Sequence, residues 1–243
     1  MQANPEKFQA IAVGKNTCSK NHIFNIGDAN ISCDEIVKLL GVDIDFKLNF
    51  DYHITINICK KAVQQLNVLK CIGKNLSKLN RLTMFHTFIL SNFNFYPLSW
   101  HFCSEKNTKK IEKVPERALR FVYFDYTSSY DELLVKVKLS SLHVRRTRLM
   151  VIETFKIING IAPPVLDNIL QKRDSRYNFR YSNILQVPQV RTTSDGKNSF
   201  SYAAPVLWNS LPEHFRTCNN CNQLKQLMLN YIGKDCKCVT CKT

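Results

Sequence analysis

The sequence predicts an α+β protein that is mainly helical: a small amino-terminal β segment, a helical bundle, and a carboxy-terminal region of short β-hairpin and helix. Three observations predict it. Short apolar runs closed by glycine or Gly-Asp occupy the first fifty residues. Between residues 52 and 159, apolar side chains recur at helical spacing and polar caps stand at the expected starts. The 243 residues are 44% hydrophobic and 22% charged, a globular balance that excludes chain-wide disorder.

The strands come first. Phe8–Gly14 is short, apolar and closed by glycine. Ile23–Ile26 and Ala29–Cys33 flank Gly27-Asp28, which is turn chemistry, and Val37–Ile44 is a fourth apolar run too short for a stable helix. So small a sheet cannot bury both faces and must pack on the later helices or on something larger.

A helix is expected from about 52 to 72, with Ile54, Ile58, Ala62, Leu66 and Leu69 on one stripe and Gly73 as its stop. Ser77 can cap a second, whose apolar face would be Leu79, Leu82, Phe85, Ile89 and Phe93, ended by Pro97. A third, capped by Thr108, carries Ile111, Val114, Ala118 and Val122, and Pro115 inside it should kink or shorten it. Ser129 and Glu132 have capping-box spacing, and another helix runs from about 142 to 159, stopped by Gly160 and Pro163-Pro164. Residues 173–193 are polar and irregular, Asp195-Gly196 signals a hairpin, and a last helix spans about 222 to 232. The expected segments are thus 1–50, 51–165, 166–217 and a Cys-rich tail, 218–243.

The net charge is +15, which points to an anionic partner, nucleic acid before an acidic membrane surface. It is uneven. Residues 1–50 carry a net −1, residues 51–110 a net +7, and 111–160, 161–217 and 218–243 a net +3 each. A basic helical pair beside a nearly neutral strand segment suits a phosphate backbone. Lys60, Lys61, Gln64, Gln65, Lys70, Lys74, Lys78 and Arg81 can supply such a face, and Arg145, Arg146 and Arg148 can reach phosphates from the helix at 142–159. The plainer reading of the second group is a solvated helix face.

No run approaches the ~18 apolar residues of a membrane span, and the amino terminus has no basic-then-apolar leader. A reducing intracellular compartment, nucleus or cytoplasm, is the expectation, with the ten cysteines mostly thiols.

Catalytic constellations are scarce. Asp43 and Asp45 alternate on a strand and share a face, the geometry of a weak divalent-cation site, although a polar strand end facing water is the plainer reading. No adjacent Asp-Asp pair supports two-metal phosphoryl transfer, and there is no Gly-x-Ser-x-Gly, phosphate-cradling loop or dinucleotide fingerprint. His86 and His101 lie among aromatics and read as core or interface. The stretch Phe93–Phe102 can offer stacking platforms for bases, but such density more often makes core.

The tail is sharper. Cys218, Cys221, Cys238 and Cys241 form C-x2-C, 16 residues, C-x2-C, the spacing of a structural zinc site, with Cys236 a spare ligand. The intervening helix of about ten residues spans ~15 Å. The return from Gly233 to Cys238 covers at most ~20 Å, so closure is tight. Without metal the four read as ordinary thiols.

In order along the chain, several stretches resemble one family: Asn4–Gln9, Val37–Asp45, Leu48–Phe50 with His53-Ile54, Ile58–Ala62, Glu116–Phe121, Tyr130–Leu134, Leu142–Arg146, Val187-Pro188, Arg191-Thr192, Ser199-Phe200 and Ala204–Pro212. The sequence resembles the non-LTR (LINE, jockey-like) retrotransposon reverse transcriptases, in the part that follows their catalytic palm motifs. The resemblance implies primer-grip strands at roughly 22–46, a helical thumb after 50 that tracks a primer–template duplex, and a carboxy-terminal region. It also implies that the family's aspartate triad, with the Tyr- or Phe-x-Asp-Asp turn that holds two magnesium ions, belongs upstream of residues 4–9. Magnesium is then a cofactor only of the complete enzyme. Asp45 matches a family position that is not catalytic, and Pro115 departs from the family pattern.

The resulting expectation is a fragment of an RNA-directed DNA polymerase that binds RNA, DNA or an RNA–DNA hybrid, is inactive alone, holds no certain cofactor beyond possible zinc, and contacts no membrane. The alternative is a decayed or co-opted transposon remnant serving as a structural or protein-interaction module, or without function.

Overall fold

The computed structural model describes residues 7–14, 23–27, 29–173, 183–192 and 196–232. It is mainly helical with a small amino-terminal β region, the fold class the sequence predicts. Two compact units divide the chain: residues 1–96 with 109–126, and 97–108 with 127–243. This division cuts across the four expected segments, since the strands share a unit with the first helices and nothing parts at 165 or 217.

In the first unit, β1 (Ile23–Ile26) pairs antiparallel with β2 (Ala29–Ser32) around Gly27. The apolar run at 37–44 does not form one strand. It breaks at Leu40-Gly41 into β3 (Ile36–Leu39) and β4 (Val42–Asp45), paired antiparallel with Lys38 opposite Asp43. Leu40 and Gly41 take φ of 49° and 85°, the double positive φ of a two-residue hairpin turn. Phe8–Gly14 is not a strand; it contributes one parallel bridge, Ala10 to Cys33.

A π-helical stretch, His53–Lys60, leads directly into α1 (Lys61–Gly73). Ile54, Ile58, Ala62, Leu66 and Leu69 are all buried, as the stripe requires. Ser77 caps α2 (Lys78–Met84) by accepting from the Asn80 N–H at 3.2 Å. That helix continues as π-helix Phe85–Ile89 and 3-10 helix Leu90–Asn94, ending before Pro97. Leu79 does not join its apolar face: it is 72% exposed, while Phe85, Ile89 and Phe93 are buried.

Helix α3 (Glu105–Tyr123) starts four residues earlier than a Thr108 cap would place it, with Ser104 accepting from the Asn107 N–H of the first turn. Pro115 does not shorten it. The lost hydrogen bond and ring clash cost about 3 kcal/mol. Burial of Ile111, Val114, Ala118, Leu119 and Val122 offsets that, since a large apolar side chain contributes ~1.5–3 kcal/mol when buried.

In the second unit, α4 (Tyr130–Val137) opens on the full Ser129–Glu132 capping box, and α5 (Leu142–Ile158) is capped by Ser141. A 3-10 turn, Pro164–Leu166, is followed by α6 (Phe200–Ser210), α7 (Glu213–Arg216) and α8 (Cys221–Met228). No hairpin is found at 196–199, where a turn runs straight into α6, and Asp195 lies outside the described residues. The segment 166–217, expected to be irregular with a hairpin, thus holds an eleven-residue helix. Met150, Val151 and Phe155 of α5 join Ala204, Leu207 and Trp208 of α6 and Leu224 and Met228 of α8 in one core cluster. Asn209 pins the segment beside it, accepting from the Leu185 N–H at 2.9 Å and donating to its carbonyl at 2.8 Å.

Candidate nucleic-acid interface

No Asp or Glu occurs from Tyr52 to Ser104, so whatever surface this stretch presents is uncompensated along its own length. Helix geometry then sorts its side chains. With Ala62, Leu66, Leu69 and Gly73 buried, the opposite face carries Lys60, Gln64, Asn67, Cys71 and Lys74, all exposed. Their spacing alternates four and three residues, which keeps them in one row. From Lys60 to Lys74 that row runs about 21 Å, the rise of about six phosphates along one duplex strand. Lys61 is exposed and Lys70 half-buried beside it. None of these lysines forms an ion pair with a carboxylate among the described residues.

Other expected members leave the row. Gln65 accepts from Asn92 Nδ2 at 2.6 Å and is spent internally. Lys78 places its ammonium 4.4 Å from the centroid of the Tyr123 ring, a cation–π contact that leaves the head exposed. Arg81 is corrected outright. It is buried, donating Nε to the Val122 carbonyl at 3.0 Å and Nη1 to those of Leu76 at 2.6 Å and Gly73 at 3.4 Å. Its guanidinium also lies 4.3 Å from the Phe124 ring. Buried and turned onto helix-end carbonyls, this charge is not part of the exposed face.

The arginines of α5 belong to the second unit and are also mostly internal. Arg146 is 2% exposed and sits 4.7 Å from the Trp100 ring, so the solvated-face reading fails for it as well. Arg148 grips the Tyr231 carbonyl with Nε at 2.9 Å and Nη2 at 2.7 Å. Burial, and then the neighbouring charge of Arg145, pull its pKa below the usual arginine value. Arg145 is half-buried. Among the aromatics, Phe93 and Trp100 are core, while Phe95 and Tyr96 are about half exposed. His101 is buried as read, but His86 is exposed.

Asp43 and Asp45 do not face water. Asp45 accepts from three backbone N–H groups, those of Lys47, Asn49 and Phe50, at 3.1, 3.2 and 2.6 Å, and so shapes the loop entering the π-helix. Asp43 accepts from the Asn57 side-chain amide. The Asp43 backbone N–H donates to His53 Nδ1 at 3.2 Å, and its carboxylate lies 3.7 Å from the same nitrogen. Burial holds His53 below the usual histidine range despite Asp43, with Lys38 pushing the same way as burial. From the sequence His53 has no chemical role, only a place in the resembling stretch His53-Ile54, because nothing in its spacing pairs it with Asp43.

Cys218 and Cys221 are partly buried around the start of α8, and burial raises the Cys218 thiol pKa. Its Sγ donates to the His214 carbonyl at 3.3 Å. Cys238 and Cys241 lie outside the described residues, among which no group of three or more His, Cys, Asp or Glu side chains is placed to hold a metal. Likewise among the described residues, no helix is long and apolar enough to cross a membrane.

No family model, curated protein or solved structure matches this chain.

Proposed function

We propose that this chain is a nucleic-acid-binding module that grips the phosphate backbone of RNA, DNA or an RNA–DNA hybrid through α1, and that it derives from the part of a non-LTR reverse transcriptase that follows the palm. The observation that carries the reading is the acid-free exposed row Lys60, Gln64, Asn67, Lys74, flanked by Lys61 and Lys70. Lysines there act as point charges on phosphate, and the amides can donate to phosphate or sugar oxygens without reading bases. The ancestry rests on the ordered sequence resemblance. Alone, the chain is expected to bind without catalysing nucleotidyl transfer: the Asp43 and Asp45 carboxylates are already engaged by Asn57 and by backbone N–H groups.

The test is fluorescence anisotropy of a labelled RNA–DNA primer–template hybrid across a salt series. Three engaged phosphates give a slope of log affinity on log salt near −3, with little sequence preference. Absence of binding at low salt by folded protein overturns the reading. A second reading, a protein-interaction remnant, draws on Val68, Ile72, Leu79 and Phe88, apolar side chains exposed on the same helices. It predicts a partner whose affinity ignores salt and survives neutralisation of Lys60 and Lys74.

A further inference from the structure

Within the first unit, a cavity of about 420 Å³ opens beside the Leu40-Gly41 turn. Its wall includes Lys38, His53, Asn57, Lys61, Asn92 and Phe95. The volume falls in the range of small-ligand sites. Only Lys61 belongs to the basic flank of α1; the rest come from β3, the π-helical turn and the end of the second helix.

The wall of that cavity holds hydrogen-bonding capacity of both kinds. Asn57 uses its amide N–H on the Asp43 carboxylate, and Asn92 directs its own at Gln65 Oε1 and the carbonyls of Phe88 and Ile89. Both amides are thereby fixed in orientation, and among the described residues each oxygen is left as an unused acceptor. His53 Nδ1 accepts a backbone N–H, so the ring proton sits on Nε2, which is buried and finds no acceptor. Lys38 and Lys61 add two ammonium groups without carboxylate partners among the described residues. Phe95 adds an aromatic wall, packed so close to the turn that a Cβ on Gly41 would meet its ring at 3.3 Å.

We propose that this cavity binds a single nucleotide, with its phosphate held by Lys38 and Lys61, its base against Phe95, and base or sugar donors met by the Asn57 and Asn92 oxygens. Ammonium groups call for the phosphate, amide acceptors for N–H or O–H groups, and the ring for a flat π-face; a nucleotide carries all three. The site shares only Lys61 with the backbone grip of α1, which needs no cavity. The nucleotide can be free or can be one unit of a single strand.

Isothermal titration with the four ribonucleoside 5′-monophosphates and with a single-stranded tetranucleotide tests it, using the full chain. At least one of these is expected to bind at one per chain, with nucleoside and inorganic phosphate each at least about tenfold weaker. Lys38→Gln and Phe95→Leu, both at exposed positions, should each weaken binding by about five- to tenfold, while Lys225→Gln, exposed on α8, changes nothing. Binding by monophosphates indicates a free nucleotide, and binding by the tetranucleotide alone indicates a unit within a strand. The proposal is overturned if neither probe binds folded protein at millimolar concentration, or if Lys38→Gln and Phe95→Leu leave affinity unchanged. Loss of hybrid binding in Lys60→Gln/Lys74→Gln with monophosphate binding intact concerns the α1 grip alone.

Discussion

Arg81 Nε donates to the Val122 carbonyl at 3.0 Å, joining side chain and backbone across 41 residues of sequence. Two further carbonyls, those of Gly73 and Leu76, accept from Nη1 of the same guanidinium, so one buried cation closes the ends of α1 and α3. Arg81→Lys keeps the charge but loses the planar fork. It should cost about 2–3 kcal/mol, because charge-assisted hydrogen bonds contribute ~1.5–3 kcal/mol each and Lys retains at most one good geometry. Urea unfolding measures the cost. Hybrid affinity of the folded fraction should not change, as it would if Arg81 touched phosphate.

The exposed lysines should behave in the opposite way. Lys60→Gln/Lys74→Gln removes two charges from side chains with no ion pair among the described residues, so the urea midpoint should stay put. The salt slope of hybrid binding should shallow by about 1.8, at 0.9 per phosphate released. An unchanged slope would remove α1 from the interface.

Stability should depend on pH through His53. Burial is the main cause of its lowered pKa; the Asp43 carboxylate opposes it and Lys38 adds to it. The unfolded chain therefore takes up this proton first as pH falls below the ordinary value of 6.5, and the folded state loses ground from there down to the lowered native pKa. Above 6.5 the contribution is complete. Protonation also puts a hydrogen on Nδ1 where the Asp43 N–H already points. Urea midpoints at several pH values, wild type against His53→Gln, isolate this share from the other histidines: the wild type should fall more steeply below 6.5, and equal slopes would refute it.

Gly73→Ala sets two effects against each other. Alanine favours helix by about 1 kcal/mol. Its Cβ, however, would stand 2.8 Å from Phe121 Cε1 and 3.4 Å from Leu69 Cδ1, both buried side chains. Overpacking of this kind costs ~1–3 kcal/mol, so net destabilisation of about 1 kcal/mol is expected in thermal unfolding. Adding Phe121→Leu should recover part of the loss relative to Phe121→Leu alone.

The helices were legible because burial and periodicity agreed: Ile54 through Leu69, the Ser77 cap and the Ser129–Glu132 box all stand where their spacing put them. Leu79 misled because it continues an apolar pattern into the first turn of α2, where none of the described residues covers it. Helix α6 was missed because the Asp195-Gly196 turn signal points to a hairpin there and Pro205 interrupts the helical pattern, which the buried core around Trp208 offsets. The break at Leu40-Gly41 needs a leucine at positive φ, which no sequence rule favours. The lysine face was legible in outline, yet Asn67 joins it only once the four-three row is traced. Arg81 and Arg146 were unreadable, since composition treats basic residues as surface and a guanidinium that finds carbonyls or a Trp ring does not stay there.

No lysine is buried among the described residues, whereas Arg81, Arg146 and Arg216 are. The buried cations are all guanidinium groups, acting as internal rivets, while every described lysine belongs to the outward field together with exposed arginines such as Arg117 and Arg191. Acylation of amines, by a reagent or by a cellular enzyme, would therefore remove the lysine share of that field while leaving the rivets in place.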